Sequence, residues 1–496
     1  MVRVIRMLEN ALYYGDNLRI LREYIPDNSI DLIYLDPPFN SKADYNILFK
    51  EPTGKPSEAQ ITAFEDTWHW TEETEAAFRE IVDTASANVV EMMGSFRQFV
   101  GVNDVMAYLT MMCIRLIELR RVLKHLGSIY LHCDPTASHY LKILMDEIFD
   151  KKNFKNEIIW HYRKWPSGNR QFQRNHDVIL FYAKTDSSER VFNQIDLMER
   201  TESTRRRFGK KKIVSGYDET GKRVPSQTLD EESAGVPRDD TWDIGRVPPI
   251  KQLFPTQKPE PLLSRIIRAS TNEGDVVLDS FCGCGTTIVE AHRLNRKWVG
   301  IDITHLAINL IKWRIKDMFG LKAKKDYMVI GEPEDLAGAE ELASQNRYQF
   351  QWWASSLIDA KPYRDKKKGA DSGIDGYVYF HDEKDKIGKA IVQVKSGKVS
   401  VKDVRDLGHV IDREKAQIGI LITLEKPTRG MRKEAITKGY HESPAFKGKF
   451  PRIQILTIED LLSGKRPNTP PSLSVYKNAQ RVNMVEQFDL DYDQSE

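Results

Sequence analysis

Hydrophobic and polar positions divide the chain into two stretches of alternating strand-like and helix-like segments with polar runs between them. Ile30–Leu35 (IDLIYL) is a short apolar run stopped by Asp36-Pro37-Pro38, which predicts a buried strand. Met106, Leu109, Met112, Cys113, Leu116 and Leu119 recur at helical spacing, and SIYLHC (128–133) predicts the strand that follows. IIWHY (158–162) and VILFY (178–182) predict two more strands around a polar turn. From 184 to 250 the periodicity dissolves. It returns with a helix over 259–269, a strand over 276–278, a helix from 286, a strand over 298–301 and a helix to 318. Strands alternating with helices imply an α/β fold with a mostly parallel sheet. Gly331, Pro333 and Gly338 among acidic residues predict a linker over 326–345. A second, smaller α/β unit is predicted over 346–465, with a weakly ordered tail over 466–496.

Composition narrows the classes without naming a function. A chain of 496 residues, 40% hydrophobic and 29% charged, suffices for two or three cored domains. The formal net charge of +2 says little about partners, so any nucleic-acid argument rests on local clusters. No apolar run reaches the length of a membrane span, the first residues lack a signal-peptide core, and four cysteines make no disulfide framework. A cytoplasmic protein without a membrane partner is expected.

Two short segments carry chemistry. In Val277-Leu278-Asp279-Ser280-Phe281-Cys282-Gly283-Cys284-Gly285, a strand ends at Asp279 and glycines permit a tight turn into a helix with close backbone approach to a ligand. Asp302 ends the next strand at a spacing that suits a carboxylate accepting ribose hydroxyls. A plain strand–helix turn remains the alternative. Cys282 and Cys284 have no matching second pair, so apolar packing is expected there rather than zinc. Asp36-Pro37-Pro38-Phe39 follows the strand over 30–35. Two prolines remove two donors, Asp36 adds an acceptor and Phe39 a π-face, which suits an amino group on a flat heterocycle; a stiff turn is the alternative.

Asp36-Pro37-Pro38-Phe39 resembles the catalytic motif of S-adenosylmethionine-dependent DNA amino-methyltransferases, and Phe281-Cys282-Gly283-Cys284-Gly285 resembles their FxGxG cofactor motif. The catalytic motif preceding the cofactor motif is the order of the β class. Tyr14-Gly15-Asp16-Asn17-Leu18 resembles the segment near the cofactor's adenine, and Pro255-Thr256-Gln257-Lys258-Pro259 the one near its methionine end. The resemblance spans 11–318. It implies a Rossmann-like methyltransferase domain over 1–325 that methylates a flipped-out base of double-stranded DNA, adenine N6 rather than cytosine N4 given the leading Asp. It also implies that Asp16, Thr256, Lys258, Asp279, Phe281, Cys282, Gly283, Gly285 and Asp302 surround the cofactor. The interval 160–250 is then a target-recognition insert. Its cations Arg163, Lys164, Arg170, Arg174, Arg205, Arg206, Lys210 and Lys211 suit phosphate contacts, with a solvated surface as the alternative.

In the second unit, Gly373-Ile374-Asp375-Gly376 and Gln393-Val394-Lys395 resemble the PD-(D/E)xK nucleases of the Mrr-like type, a restriction-endonuclease-like fold. Asp375 and Gln393 would hold Mg²⁺, and Lys395 would orient the attacking water. Gln351 stands where that family often has an acid on its first helix, a departure that weakens a two-metal site. Two readings follow: a restriction–modification enzyme with a cutting domain, or a solitary methyltransferase whose second unit binds or senses DNA. A non-catalytic nucleic-acid-binding protein is a third. The recognition sequence, and whether the chain forms a homodimer, are left open.

Overall fold

The computed structural model is described for residues 9–471, apart from 39–68, 249–256, 363–372 and scattered positions within 136–171, 196–234, 384–385 and 445–447. The first unit contains strands β1 (Ala11–Tyr14), β2 (Ile30–Leu35), β3 (Leu123–Cys133), β4 (Phe154–His161), β5 (His176–Ala183), β6 (Lys211–Val214), β7 (Gln227–Glu232), β8 (Thr241–Asp243), β9 (Val276–Asp279), β10 (Lys297–Asp302) and β11 (Met328–Ile330). Nine of them form one sheet in the order β11-β1-β10-β9-β2-β3-β5-β4-β8, while β6 and β7 make a separate antiparallel ribbon. Pairing is parallel from β11 to β3 and antiparallel on both sides of β5.

Both faces of the sheet are covered, which is why its central strands read as continuous apolar runs. Along β2, Ile33 and Leu35 join one core with α1 (Asn17–Tyr24), α2 (Glu72–Thr84), α3 (Ala87–Val100), α4 (Asp104–Val122) and α5 (Ser138–Phe149). The alternate residues Leu32 and Tyr34 join the opposite core. After the short α6 (Glu202–Phe208) in the insert, that second core is built by α7 (Glu260–Ser270), α8 (Thr286–Arg293) and α9 (His305–Phe319).

The second unit begins with α10 (Leu336–Gln345) and α11 (Arg347–Ser356). Strands β12 (Lys361–Pro362), β13 (Gly376–Glu383), β14 (Lys386–Lys395) and β15 (Ile418–Thr423), with β16 (Tyr440–Ser443), β17 (Gly448–Pro451) and β18 (Ile453–Thr457), complete the strand set described. The sheet runs β12-β13-β14-β15-β18, antiparallel at its first two pairings and parallel at its last two; β16 and β17 form a ribbon. Helices α10, α11 and α14 (Ile458–Leu462) cover one face, α12 (Val401–Arg413) and α13 (Arg429–Thr437) the other.

The interval 326–345, expected to be a linker, is mostly ordered secondary structure. Residues 328–330 are the edge strand β11, paired with β1, and Ala339 and Leu342 of α10 are buried in the second unit's core. A three-residue strand whose register is set by its partner leaves no periodicity to read. The 160–250 insert likewise carries β6, β7 and β8, and β8 extends the main sheet beside β4. Of the tail, 472–496 lies outside the described residues.

The turn after β11 depends on Gly331, whose φ is +91° and where a Cβ would stand 2.2 Å from the Tyr14 carbonyl oxygen. Gly331→Ala is therefore expected to destabilise the protein by about 1–3 kcal/mol, read as a lowered denaturation midpoint. An unchanged midpoint would show that this stretch is a slack tether.

Candidate functional site

Register brings the two sequence motifs to one edge. Tyr34 of β2 lies opposite Asp279 of β9, Gly300 of β10 opposite Asp279, and Tyr14 of β1 opposite Asp302. The loops after β1, β2, β9 and β10 therefore all leave the carboxyl ends of adjacent parallel strands, where open α/β sheets form ligand crevices. Asn17, at the start of α1, ties two of these loops: its Nδ2 donates to the Ser280 carbonyl at 2.9 Å, and its Oδ1 accepts from Arg115 Nε at 2.6 Å. Arg115 also pairs with Asp16 at 2.7 Å. Asp16 caps α1 through the Arg19 N–H at 3.1 Å.

The β9–α8 turn is held by its own carboxylates. Asp279 accepts from the Phe281 N–H at 3.1 Å and the Thr287 hydroxyl at 2.6 Å. Asp302 accepts from the Gly283 N–H and from the Thr304 N–H and hydroxyl, each at 2.9 Å. Gly283 and Gly285 have φ of +47° and +75°, and a Cβ on Gly285 would stand 2.6 Å from Ile311. Burial pushes the Asp279 carboxyl up to about 7 and the Asp302 carboxyl up to about 6, against the hydrogen bonds that favour ionisation. Cys282 packs in the core beside α8, and Phe281 is half-buried against the opposite core. The Ser280 hydroxyl is buried and has no hydrogen-bond partner among the described residues.

At the other loop, Asp36 directly follows β2, with Pro37 buried behind it; Phe39 and Thr256 lie outside the described residues. Lys258, which the resemblance assigns to the cofactor, forms an ion pair with Asp36. Beside this pair runs a buried chain that the sequence did not reveal. Tyr34 Oη lies 2.9 Å from His132 Nδ1, His132 Nε2 lies 3.2 Å from Asp177 Oδ2, and the Tyr162 hydroxyl donates to Asp177 Oδ1 at 2.9 Å. Burial raises the Asp177 carboxyl, but His132, the nearby Lys258 charge and Tyr162 outweigh it and hold the group down at about 2. Burial, with Asp36, Asp279 and Asp177 nearby, pushes the Tyr34 phenol well above its ordinary value. Tyr34 thus stays neutral, and Lys258 sits in the field of two carboxylates, Asp36 and Asp177.

The expected DNA-contacting cations fall into two settings. Arg163, Lys164, Arg170 and Arg174 are exposed around the β4–β5 connection, with Lys164 Nζ 4.9 Å and Arg246 Cζ 5.3 Å from the Tyr162 ring centre. Arg205, Arg206 and Lys210 are exposed in and after α6, where Arg206 pairs with Glu202. Lys211 pairs with Asp230 at 2.5 Å and Lys212 with Glu231 at 3.0 Å across the β6–β7 ribbon, so part of this second cluster is neutralised by its own neighbours.

In the second unit the strands bring Asp375, Gln393 and Lys395 to one region. Asp375 Oδ2 accepts from the Val394 N–H at 2.7 Å. Gln393 donates its side-chain amide to the Gly373 carbonyl, and its buried Oε1 has no partner among the described residues. Lys395 Nζ lies 3.6 Å from Asp403. Among the described residues no group of three or more His, Cys, Asp or Glu could hold a metal ion. Nor is any described helix long and apolar enough to cross a membrane.

Known proteins resemble the chain in two blocks. Residues 30–312 match the N6_N4_Mtase family, described as DNA methylase. Residues 350–462 match a family described as NACHT-associated inactive Restriction Endonuclease 1. Type II methyltransferase M.HpaI of Haemophilus parainfluenzae is 30% identical over 226 residues, 44% of this chain and 63% of that protein. The DNA adenine methyltransferase YhdJ of Escherichia coli K12 is 27% identical over 297 residues, 59% of this chain and 78% of that protein. Among solved structures, the cytosine-N4-specific PvuII DNA methyltransferase is 14% identical with a TM-score of 0.36, covering 62% of this chain and 86% of that one.

The raised carboxyls carry a pH signature. Asp279 has an ordinary value of 3.8 and a folded value of about 7, so across that window unfolding releases its proton and its contribution to stability declines as pH rises. Asp279→Asn remains neutral throughout. Its melting temperature is therefore expected to gain on that of the wild type between about pH 5 and about pH 8. A gap that stays constant across that range would contradict the shifted carboxyl.

Proposed function

The chain belongs to the N6_N4 DNA methylase family, and from that premise we propose that its first unit transfers a methyl group from S-adenosylmethionine to an exocyclic amine of a base in double-stranded DNA, adenine N6 in particular. One observation carries the reading: the loops bearing Asp36 and Gly283 leave the neighbouring strands β2 and β9 at the same edge. The likeness to a protein named as an adenine methyltransferase supports adenine over cytosine.

The donor set fits the cofactor. Asp302 ends β10 with its carboxylate turned onto the glycine turn, the side-chain-free backbone at Gly283 and Gly285 admits close approach, and the buried Ser280 hydroxyl is in want of a partner. Asp302 would receive the ribose hydroxyls, and the segment Tyr14–Asp16 would flank the adenine. When bound, the cofactor supplies an electrophilic sulfonium methyl.

The target base reaches such a pocket only after leaving the helix, at a cost of a few kcal/mol, offset in part by stacking on Phe39. Asp36 Oδ and the Pro37 carbonyl would accept hydrogen bonds from the amine, drawing its lone pair out of conjugation. Those bonds strengthen as positive charge grows on nitrogen, so they favour the transition state over the ground state. Pro37 and Pro38 offer no competing backbone donor. Lys258 balances Asp36 while the base is elsewhere. Lys164 and Arg246 lie over the Tyr162 ring, and with the exposed Arg163 they suit the flanking phosphates.

Asp36→Ala is expected to lower methyl transfer to DNA by two or more orders of magnitude, on the order of the loss seen when one transition-state hydrogen-bond partner is removed. Cofactor affinity by calorimetry should survive in that variant; its loss would contradict the role assigned to Asp36.

For the second unit, of the two readings drawn from its motifs, we favour DNA binding without cleavage. Asp375 already accepts a backbone N–H, the Gln393 amide is tied to Gly373, and Gln351 stands in place of an acid, which leaves Mg²⁺ a sparse ligand set. The description of the matched family as inactive agrees. DNA incubated with the full chain and Mg²⁺ is therefore expected to stay intact. Magnesium-dependent cutting that disappears in Lys395→Ala would establish the restriction–modification reading instead.

A further inference from the structure

Helix α11 faces two ways. Phe350, Trp353 and Ala354 are buried in the second unit's core, whereas Gln349 and Trp352, from the intervening turns, meet α9 of the first unit. Gln349 Oε1 accepts the His305 N–H at 2.8 Å, and the Trp352 carbonyl accepts from Asn309 Nδ2 at 2.7 Å. Gln349 is 3% exposed and His305 is fully buried, so this contact is dry.

Its position matters more than its strength. His305 is the first residue of α9, preceded by Thr304, which caps the helix and donates to Asp302. The His305 ring stacks on Tyr14 at 3.6 Å with an interplanar angle of 16°, and its two nitrogens have no hydrogen-bond partner among the described residues. Tyr14 in turn precedes Gly15, whose N–H donates to the Asp302 carbonyl at 3.0 Å. One continuous path therefore runs from the second unit to both walls of the crevice around Asp302: Gln349 to the His305 backbone, then to Thr304 and Asp302 on one side and Tyr14 on the other.

We infer that Gln349 is a positioning residue for methyl-donor binding, so that the restriction-endonuclease-like unit acts as a brace for the cofactor crevice of the first unit. The first helical N–H of α9 would otherwise be buried without an acceptor, and satisfying it holds Thr304, and hence Asp302, in place. The inference rests on the proposal that Asp302 and the Tyr14–Asp16 segment receive the nucleoside end of the cofactor.

The test uses the full chain and S-adenosylmethionine itself. Gln349→Ala is expected to weaken cofactor binding by calorimetry about five- to tenfold, as loss of one buried hydrogen bond implies. The Michaelis constant for the cofactor should rise in parallel, while kcat at saturating cofactor and the constant for DNA stay near wild type. Unchanged cofactor affinity in Gln349→Ala, or equal losses in kcat and DNA binding, overturns the inference. Should that variant fail to fold, Gln349→Asn, whose shorter side chain withdraws the acceptor from the His305 N–H while remaining an amide, carries the same test. Asp302→Ala separates the two levels: if it binds cofactor normally, the reading of the crevice falls, whereas if it loses cofactor and Gln349→Ala does not, only the brace falls.

Discussion

Parallel pairing of β2 with β9 and of β9 with β10 governs where all the chemistry lies. In a parallel sheet every strand points its carboxyl end the same way, so loops far apart in sequence leave from one rim. Here that rim gathers Asp36, Asp279 and Asp302, three acids that water would otherwise keep apart and ionised. Burial then sets their behaviour. Asp279 and Asp302 are raised because they sit in a dry turn, while Asp36 is balanced by Lys258 and Asp177 is held down by three partners. The same edge thus offers two buried carboxyls raised toward neutrality, Asp279 and Asp302, beside the Asp36–Lys258 ion pair.

The two halves of the crevice are built with different degrees of internal bonding. The glycine turn satisfies its carboxylates from nearby groups, Gly283, Thr287 and Thr304, and an outside contact at its rim is the Gln349 bond to the residue after Thr304. The Asp36 side relies on long-range partners instead. Lys258 is 222 residues away in sequence, and the Tyr34–His132–Asp177–Tyr162 chain crosses β2, β3, β5 and the end of β4. Because Tyr162 also lies beneath Lys164 and Arg246, that chain runs from Tyr34, next to Asp36, to these two exposed cations.

Much of this was legible in the sequence, and the remainder was hidden for identifiable reasons. Strands β2, β9 and β10 announce themselves because they are buried on both faces and stopped by Asp-Pro-Pro, by glycine or by Asp302. Asp36, the glycine turn and Asp302 could be named because local punctuation marks them. His132 and Asp177 could not, since each reads as a polar interruption of an apolar strand, and only the pairing of β3 with β5 gives them to each other. The Lys258–Asp36 pair escaped because its members stand 222 residues apart and no local pattern joins them. Strand β11 escaped because three residues are too few to show a period.

The double-faced helix α11 constrains how such a chain can be assembled from parts. A first unit joined to a different second unit would leave the start of α9 facing a surface that lacks an acceptor at the Gln349 position and a carbonyl opposite Asn309. Exchange of modules at this junction is therefore not neutral: a graft keeps both hydrogen bonds only if it brings along one glutamine and one helical turn.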